Sequence, residues 1–318
     1  MAGKLTDDRE MSASRLPALM GFSRYSTPND ELQFSINAID GKERPDIGNE
    51  AMAWGNTLEP VILGQACQRL GIDGEFNINK AYTHPLYALS CSLDGVGFGQ
   101  GQEVITDLDK GIIVVGQDSI VLDGPGVLEA KLTRMAPEDT PDLARGPIQL
   151  QGQMLVTGHK WGAVCVLYQG IEMRVFLFAP HKATQASIIK AVEEFEGKLE
   201  KYRQTGEIDW YPPQTSKELD RIYPAAMKEE VELEPDYAEV AQGIMASKQA
   251  IRDAEKAIEE GEKILKEALG QAEKGRVGNF VISWPMRNYK AQPERLVPAK
   301  EAYSVRQSSL TLKASNDR

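Results

Sequence analysis

Histidine and cysteine are scarce, three of each in 318 residues. Cys67, Cys91 and Cys165 are odd in number, far apart and in no paired spacing, which argues against a disulfide framework or a cysteine-built zinc site. They read as reduced core residues of an intracellular protein. His84, His159 and His181 are too few and too scattered for a histidine metal centre. A divalent ion held by this chain would be a hard one ligated by carboxylates, magnesium or manganese. No apolar run has the length of a membrane span, and the opening MAGKLTDDRE lacks the apolar segment of a secretion signal, so a cytoplasmic protein is expected. Positive charge is in deficit as well: 36 Lys and Arg against 47 Asp and Glu leave a formal charge of −11. That excludes coating nucleic acid through bulk charge but not a locally basic channel.

What remains is an ordinary globular composition, 42% apolar and 26% charged, with length for one large domain or two smaller ones. Residues 11–24, MSASRLPALMGFSR, read as a short helix with Ser12 or Ser14 as cap and Leu16, Leu19 and Met20 as its stripe. Residues 51–71 repeat apolar side chains every fourth position, Trp54, Leu58, Ile62, Ala66 and Leu70, and stop at Gly71, a stronger helix signal. FNINKAYTH, LYALSCSLDGVGF, EVITDLDKGIIVV, DSIVLD and GVLEAKLTR follow as short strands between Gly, Asp and Pro. Residues 147–158 read as a helix opened by Pro147 and closed by Gly158. Two strands joined at Gln169 and Gly170 come next, then a long helix with Ile188, Val192, Phe195 and Leu199 on one side.

These elements make an α/β domain of residues 1–210, and WYPPQT marks a break because two prolines cannot sit inside a helix or central strand. A charged helical stretch over 235–274, with weak points at Gly243, Gly261 and Gly270, and short strands form an accessory region, 225–318. The helical stretch is rich in Glu. Residues 276–318 carry Arg276, Arg287, Lys290, Arg295, Lys300, Arg306, Lys313 and Arg318 against three acidic residues, which makes the tail the better contact for a polyanion.

One strand asks for an explanation. In GVLEAKLTR the side chains of Glu129 and Lys131 emerge from one face while Leu128, Ala130 and Leu132 point to the other. A solvated sheet face with a salt-bridged pair would look the same. Asp94, in CSLDGVG, is delivered by apolar residues to a glycine-marked bend, where an Asx-turn is the ordinary reading. Glu59 lies on the helix after Trp54, and Gln149 and Gln151 open the helix after these strands. Together they supply two or three carboxylates able to bracket a divalent ion, and one ammonium able to orient water or stabilise developing charge. Phosphodiester hydrolysis needs this hardware.

The order of five blocks adds to this: SASR (12–15), AWGNTLEP (53–60), SCSLDG (90–95), LEAK (128–131) and IQLQGQMLVTG (148–158). So arranged, the chain resembles the PD-(D/E)XK nuclease superfamily, and within it the phage lambda exonuclease and YqaJ-type viral recombinase group, over residues 10–200. The resemblance implies a nuclease core with a central mixed sheet flanked by helices, plus a C-terminal helical and short-strand extension. It implies Asp94 and Glu129 as the metal pair, Glu59 as a third carboxylate at the metal, Lys131 as the catalytic lysine and Gln149 as the residue arranging nucleophile or metal water. Ser14 matches the block near which the family holds the terminal phosphate, with Arg15 or Arg9 as its cation. Leu93 stands where the family often has proline, and Arg15 where it commonly has glutamate. His84 falls near a position that is acidic in some relatives, and the Asp94–Glu129 interval is long, as if residues 103–123 were an inserted hairpin.

The activity so implied is Mg²⁺-dependent, with Mn²⁺ as substitute: 5′-to-3′ exonucleolysis on ends of linear double-stranded DNA, leaving 3′ overhangs. The same resemblance implies a ring-shaped homotrimer, a single-strand annealing protein as partner, no membrane, and a phage or prophage origin in a bacterial cytoplasm. Two other readings share the fold: a structure-specific endonuclease or nickase, separable by its attack on circular duplex, and a noncatalytic DNA- or partner-binding protein.

Overall fold

The computed structural model describes residues 5–42, 48–225 and 229–286. The chain divides into two compact units, Met1–Glu218 and Leu219–Arg318. Among the described residues no helix is long and apolar enough to cross a membrane.

The first unit opens with β1 (Met11–Ser12), a 3-10 turn and a single helical turn, α1 (Leu16–Leu19). The expected serine cap is not made. Ser12 is held in β1, and its hydroxyl meets that of Ser14 at 3.2 Å instead of the helix amides. The helix α2 (Pro28–Ile39) was absent from the sequence reading although its signal is present. Thr27 accepts from the Asp30 amide, the Asp30 carboxylate accepts from the Thr27 amide, and Pro28 occupies the first helical position. In α3 (Glu50–Leu70), Asn49 caps the start and Gly71, at φ 65°, ends it. Of the fourfold apolar repeat only Ile62, Ala66 and Leu70 are buried, and Trp54 stays 54% exposed.

Strands follow: β2 (Asp73–Phe76), β3 (Ala81–Thr83), β4 (Leu89–Ser92), β5 (Gly95–Ile105), β6 (Ile112–Val114) and β7 (Ser119–Thr133). Two of the expected pieces, DSIVLD and GVLEAKLTR, are thus one strand of 15 residues. The expected inserted hairpin is more than a hairpin. Gln102–Ile105 does pair with Ser119–Leu122, but the intervening β6 crosses to pair in parallel with a later strand, β9 (Glu172–Phe178), at the sheet's far edge. Then come α4 (Pro147–Thr157), β8 (Gly162–Tyr168), β9 (Glu172–Phe178) and α5 (Lys182–Thr205). Gln169 and Gly170 both take positive φ, 53° and 76°, which suits the twist of the tight β8–β9 hairpin.

The main sheet runs β2-β5-β7-β8-β9-β6 and is mixed, with β7–β8 and β9–β6 parallel and the other pairs antiparallel. Strand alternation gives each face its own core. Val127, Val164, Val166 and Phe176 face α4 and α5 with Leu150, Ile188, Val192 and Phe195. Leu128, Ala163, Cys165, Val175 and Leu177 face α3 with Ile62, Leu63 and Ala66. All three cysteines are buried and free, as their spacing suggested. Beyond α5 the WYPPQT stretch is docked. Asn29 pairs with both the amide and the carbonyl of Tyr211 and also donates to buried Glu218, which sits on α6 (Ser216–Ile222).

In the second unit, α7 (Tyr237–Leu269) runs straight through Gly243 and Gly261 and ends at Gly270, followed by an antiparallel pair, β10 (Lys274–Val277) and β11 (Phe280–Ser283). Of the basic tail only Arg276 falls within the described residues.

Candidate active site

The site arises where two strands part. Pairing of β5 with β7 ends at Gly95 and Leu128, yet β7 continues to Thr133 beside β8. One edge of β7 is therefore open beyond Leu128. Asp94, immediately before β5, fills the first rung there, with Oδ2 accepting the Ala130 amide at 2.9 Å. The Asx-turn reading is thus replaced by a carboxylate bound to the neighbouring strand.

Glu129 and Lys131 share the face of Val127 and look toward α4, as strand alternation requires. Glu129 is 1% exposed. Its Oε1 accepts from Lys131 Nζ at 2.5 Å, and its Oε2 from Gln153 Nε2 at 2.7 Å. Lys131 Nζ also donates to Gln149 Oε1 at 3.2 Å. Gln149 and Gln153 are one helical turn apart and so project from the same side of α4. Gln153 was missed by sequence reasoning, and its spacing of four from Gln149 is the signal that finds it. Gln151 points away, holding the β9–α5 junction through the Ala179 carbonyl and the His181 amide.

The charges act on one another strongly. Burial, then the charge of Glu129, holds the Asp94 carboxyl well above the usual range, with Lys131 pulling the other way. Glu59, reaching toward the site from α3 on the opposite face of the sheet, is raised by burial and by Glu129. For Lys131 burial works against the charged form, but Glu129, Asp94 and Glu59 outweigh it and hold its pKa above the ordinary lysine value. It is an ammonium at any working pH. Among the described residues no three His, Cys, Asp or Glu side chains form a ready-made metal cluster.

Beside this group lies a cavity of about 680 Å³ lined by Ser14, Tyr25, Phe34, Lys131 and Gln149 among others. Arg15 also borders it, but its guanidinium is committed. Nε donates to Glu31, Nη1 to the Glu10 and Asp8 carbonyls, and Nη2 to the Glu31 carbonyl and Ser35. The group also stacks on Phe34 at 4.7 Å. Arg9 is bound to Asp7 through two nitrogens and does not line the cavity. Of the three residues proposed for a terminal phosphate, Ser14 alone combines a place at the cavity with a hydroxyl not committed to the main chain. His84 caps its own turn, Nδ1 accepting from the Leu86 and Tyr87 amides.

Residues 7–160 match the family described as the YqaJ-like viral recombinase domain. The match spans just under half of the chain, and over it the chain resembles that family. The YqaJ-like segment contains every member of the charged group, from Glu59 through Lys131 to Gln153. Among solved structures, the chain is similar to LHK-Exo in complex with dAMP, at 19% identity and TM-score 0.45, with 62% of this chain and 94% of that one covered. It is also similar to the alkaline exonuclease LHK-Exo from Laribacter hongkongensis at 18% identity, TM-score 0.45, with 62% and 91% covered. SSO0001 is similar at 11% identity, TM-score 0.37, with 70% and 88% covered. No curated protein matches the chain.

Proposed function

We propose that the chain is a Mg²⁺-dependent deoxyribonuclease that degrades the 5′-ended strand from ends of linear duplex DNA and leaves 3′ overhangs for strand annealing. The observation that carries this is the pairing of Glu129 with Lys131 at the open edge of β7, with Asp94 alongside and a cavity in front of Lys131. The donor set fits a hard ion. Asp94 and Glu129 supply oxygen only, their mutual repulsion is what a divalent cation relieves, and magnesium characteristically uses one or two carboxylates and keeps several waters. When bound, the ion neutralises charge on the phosphoryl oxygens and acidifies water. Glu59 sits one step further out as a third carboxylate.

The chain's own residues do the rest. Lys131, held as an ammonium, stabilises charge on the reacting phosphate rather than taking up a proton. Gln149 fixes the Lys131 amine from the helix side, and Gln153 fixes Glu129. Ser14, across the cavity, donates to a terminal phosphate. With Arg15 spent on the fold, the charge offsetting that phosphate falls to Lys131 itself. On this reading residues 1–210 are the nuclease domain and 225–318 an accessory region. The enzyme acts as a homotrimeric ring beside a single-strand annealing protein in the cytoplasm of a phage- or prophage-bearing cell.

The test is hydrolysis of linear duplex labelled at either end, beside a circular duplex, in Mg²⁺, Mn²⁺, Ca²⁺ or EDTA. Release of the 5′ label first, with circles intact and EDTA abolishing activity, is the expected pattern. Nicked or linearised circles would instead show an endonuclease, and full activity in EDTA would remove the metal reading.

A further inference from the structure

The second unit carries a surface that the nuclease reading does not use. In α7 the large apolar residues Tyr237, Ile244, Ile251, Ile258 and Leu265 recur every seven positions, and three residues after each stand Val240, Ser247, Ala254, Gly261 and Ala268. A seven-residue apolar repeat on a helix of 33 residues is the pattern of helices that pack along their whole length. No α7 residue is buried, and Ile258 on this stripe is 62% exposed.

We propose that α7 pairs antiparallel with α7 of a second copy of this chain. The occupant follows from the register. Antiparallel packing sets each residue of the first series against one of the second. A register centred between Arg252 and Asp253 pairs Tyr237 with Ala268, Ile244 with Gly261, Ile251 with Ala254, Ile258 with Ser247 and Leu265 with Val240. In four of the five layers a large side chain meets a very small one. The same register leaves the two helix ends flush, since 237 and 268 span nearly the whole element. A parallel pair would set Ile on Ile and then Gly on Gly or Ala on Ala, alternating crowded and empty layers.

Charge gives an independent reason. In the antiparallel register Lys248 of each chain falls beside Glu255 of the other, twice by symmetry, and no like charges flank the seam. On one flank of the seam Ala250 meets Ala257, and the large Ile264 meets Gly243, which permits close approach of the helices. A strip about 50 Å long and about 11 Å wide on each partner buries on the order of 1,100 Å² in total, enough for a specific contact. The contact is two-fold symmetric and closes on itself, so each α7 takes one partner.

The test uses the full chain. Mass by light scattering and sedimentation is compared for the wild type, Ile251→Asp/Ile258→Asp, and Ala254→Leu, which keeps helix propensity but fills a small layer. Both variants should lower the mass by at least half while circular dichroism stays unchanged. Mixed Ile251→Cys and Ala254→Cys chains should cross-link on oxidation, whereas Ala254→Cys alone should not. An unchanged mass in both variants, or cross-linking of Ala254→Cys with itself, would overturn the proposal.

Discussion

Replacing Gln153 by Met isolates the contribution of the residue that holds Glu129 in place. Gln153 is fully buried and spends its amide on two acceptors, Glu129 Oε2 at 2.7 Å and the Ser92 carbonyl at 3.2 Å. A hydrogen bond to a charged group is worth about 1.5–3 kcal/mol and one to a neutral group about 1 kcal/mol. Methionine keeps the volume and costs little in packing, so the expected loss is about 2.5–4 kcal/mol. Glu129 keeps Lys131 as partner, but its orientation is no longer set from the helix side. Outer partners of this kind contribute roughly 10–100-fold to metal affinity. Urea unfolding and Mn²⁺ titration of the same preparation read the two effects. A stability loss under about 1 kcal/mol together with unchanged Mn²⁺ affinity would show that the Gln153 contact neither holds the core nor orients the carboxylate.

Lys131→Ala should remove most turnover while leaving DNA affinity nearly intact, because in the proposed mechanism one ammonium is a small share of phosphate binding but acts on the reacting phosphate; near-normal single-turnover rates would reduce the pair to a salt bridge. Arg15→Lys should destabilise by about 3 kcal/mol, since a lysine cannot replace five directed donors buried against Phe34, and urea midpoints of the wild type and variant measure it. Without metal, the folded pKa of Asp94 exceeds its unfolded value, so its contribution to stability is fully present below the unfolded pKa and is lost as pH rises through the folded one. Melting curves in EDTA across pH should show that decline, Asp94→Asn should flatten it, and a wild-type curve as flat as the variant's would contradict the burial argument. Gly126→Ala should fail to fold stably, because a Cβ there would lie 2.1 Å from the buried Trp161 ring; a thermal midpoint within a few degrees of wild type would mean that the ring has room to move.

Periodicity carried most of the scaffold. Gly71 and Gly158 ended the helices expected to stop there, the β8–β9 hairpin turned where its Gln-Gly pair stood, and Ile188, Val192, Phe195 and Leu199 were buried on one side of α5. Pattern failed where tertiary contacts decide. Thr27 to Asp30 spelled a capping box that an apolar-stripe search passes over, and Ser12 looked like a cap until β4 claimed its backbone. In the site, alternation alone put Glu129 and Lys131 on one face. Nothing local said that β5 would stop at Gly95, which is what gives Asp94 its place. Arg15 misled in the opposite sense: its acceptors include Ser35 and carbonyls on either side of it in the chain, so only the fold shows that it is spent.

The open edge of β7 also bears on how such a chain can change length over evolution. Active-site loops absorb insertions because their residues are not in register with anything. Here Glu129 and Lys131 lie inside a ladder, paired with Val164 and Val166 of β8. One added residue between Leu128 and Lys131 would turn the lysine into the core under α3 and bring an apolar neighbour out in its place. The excursion between Ile105 and Ser119 lies outside that stretch, so added residues there leave the count from Leu128 to Lys131 untouched. The charged pair is thereby tied to a fixed count of residues along a single strand, and variants of this chain would differ around that count without altering it.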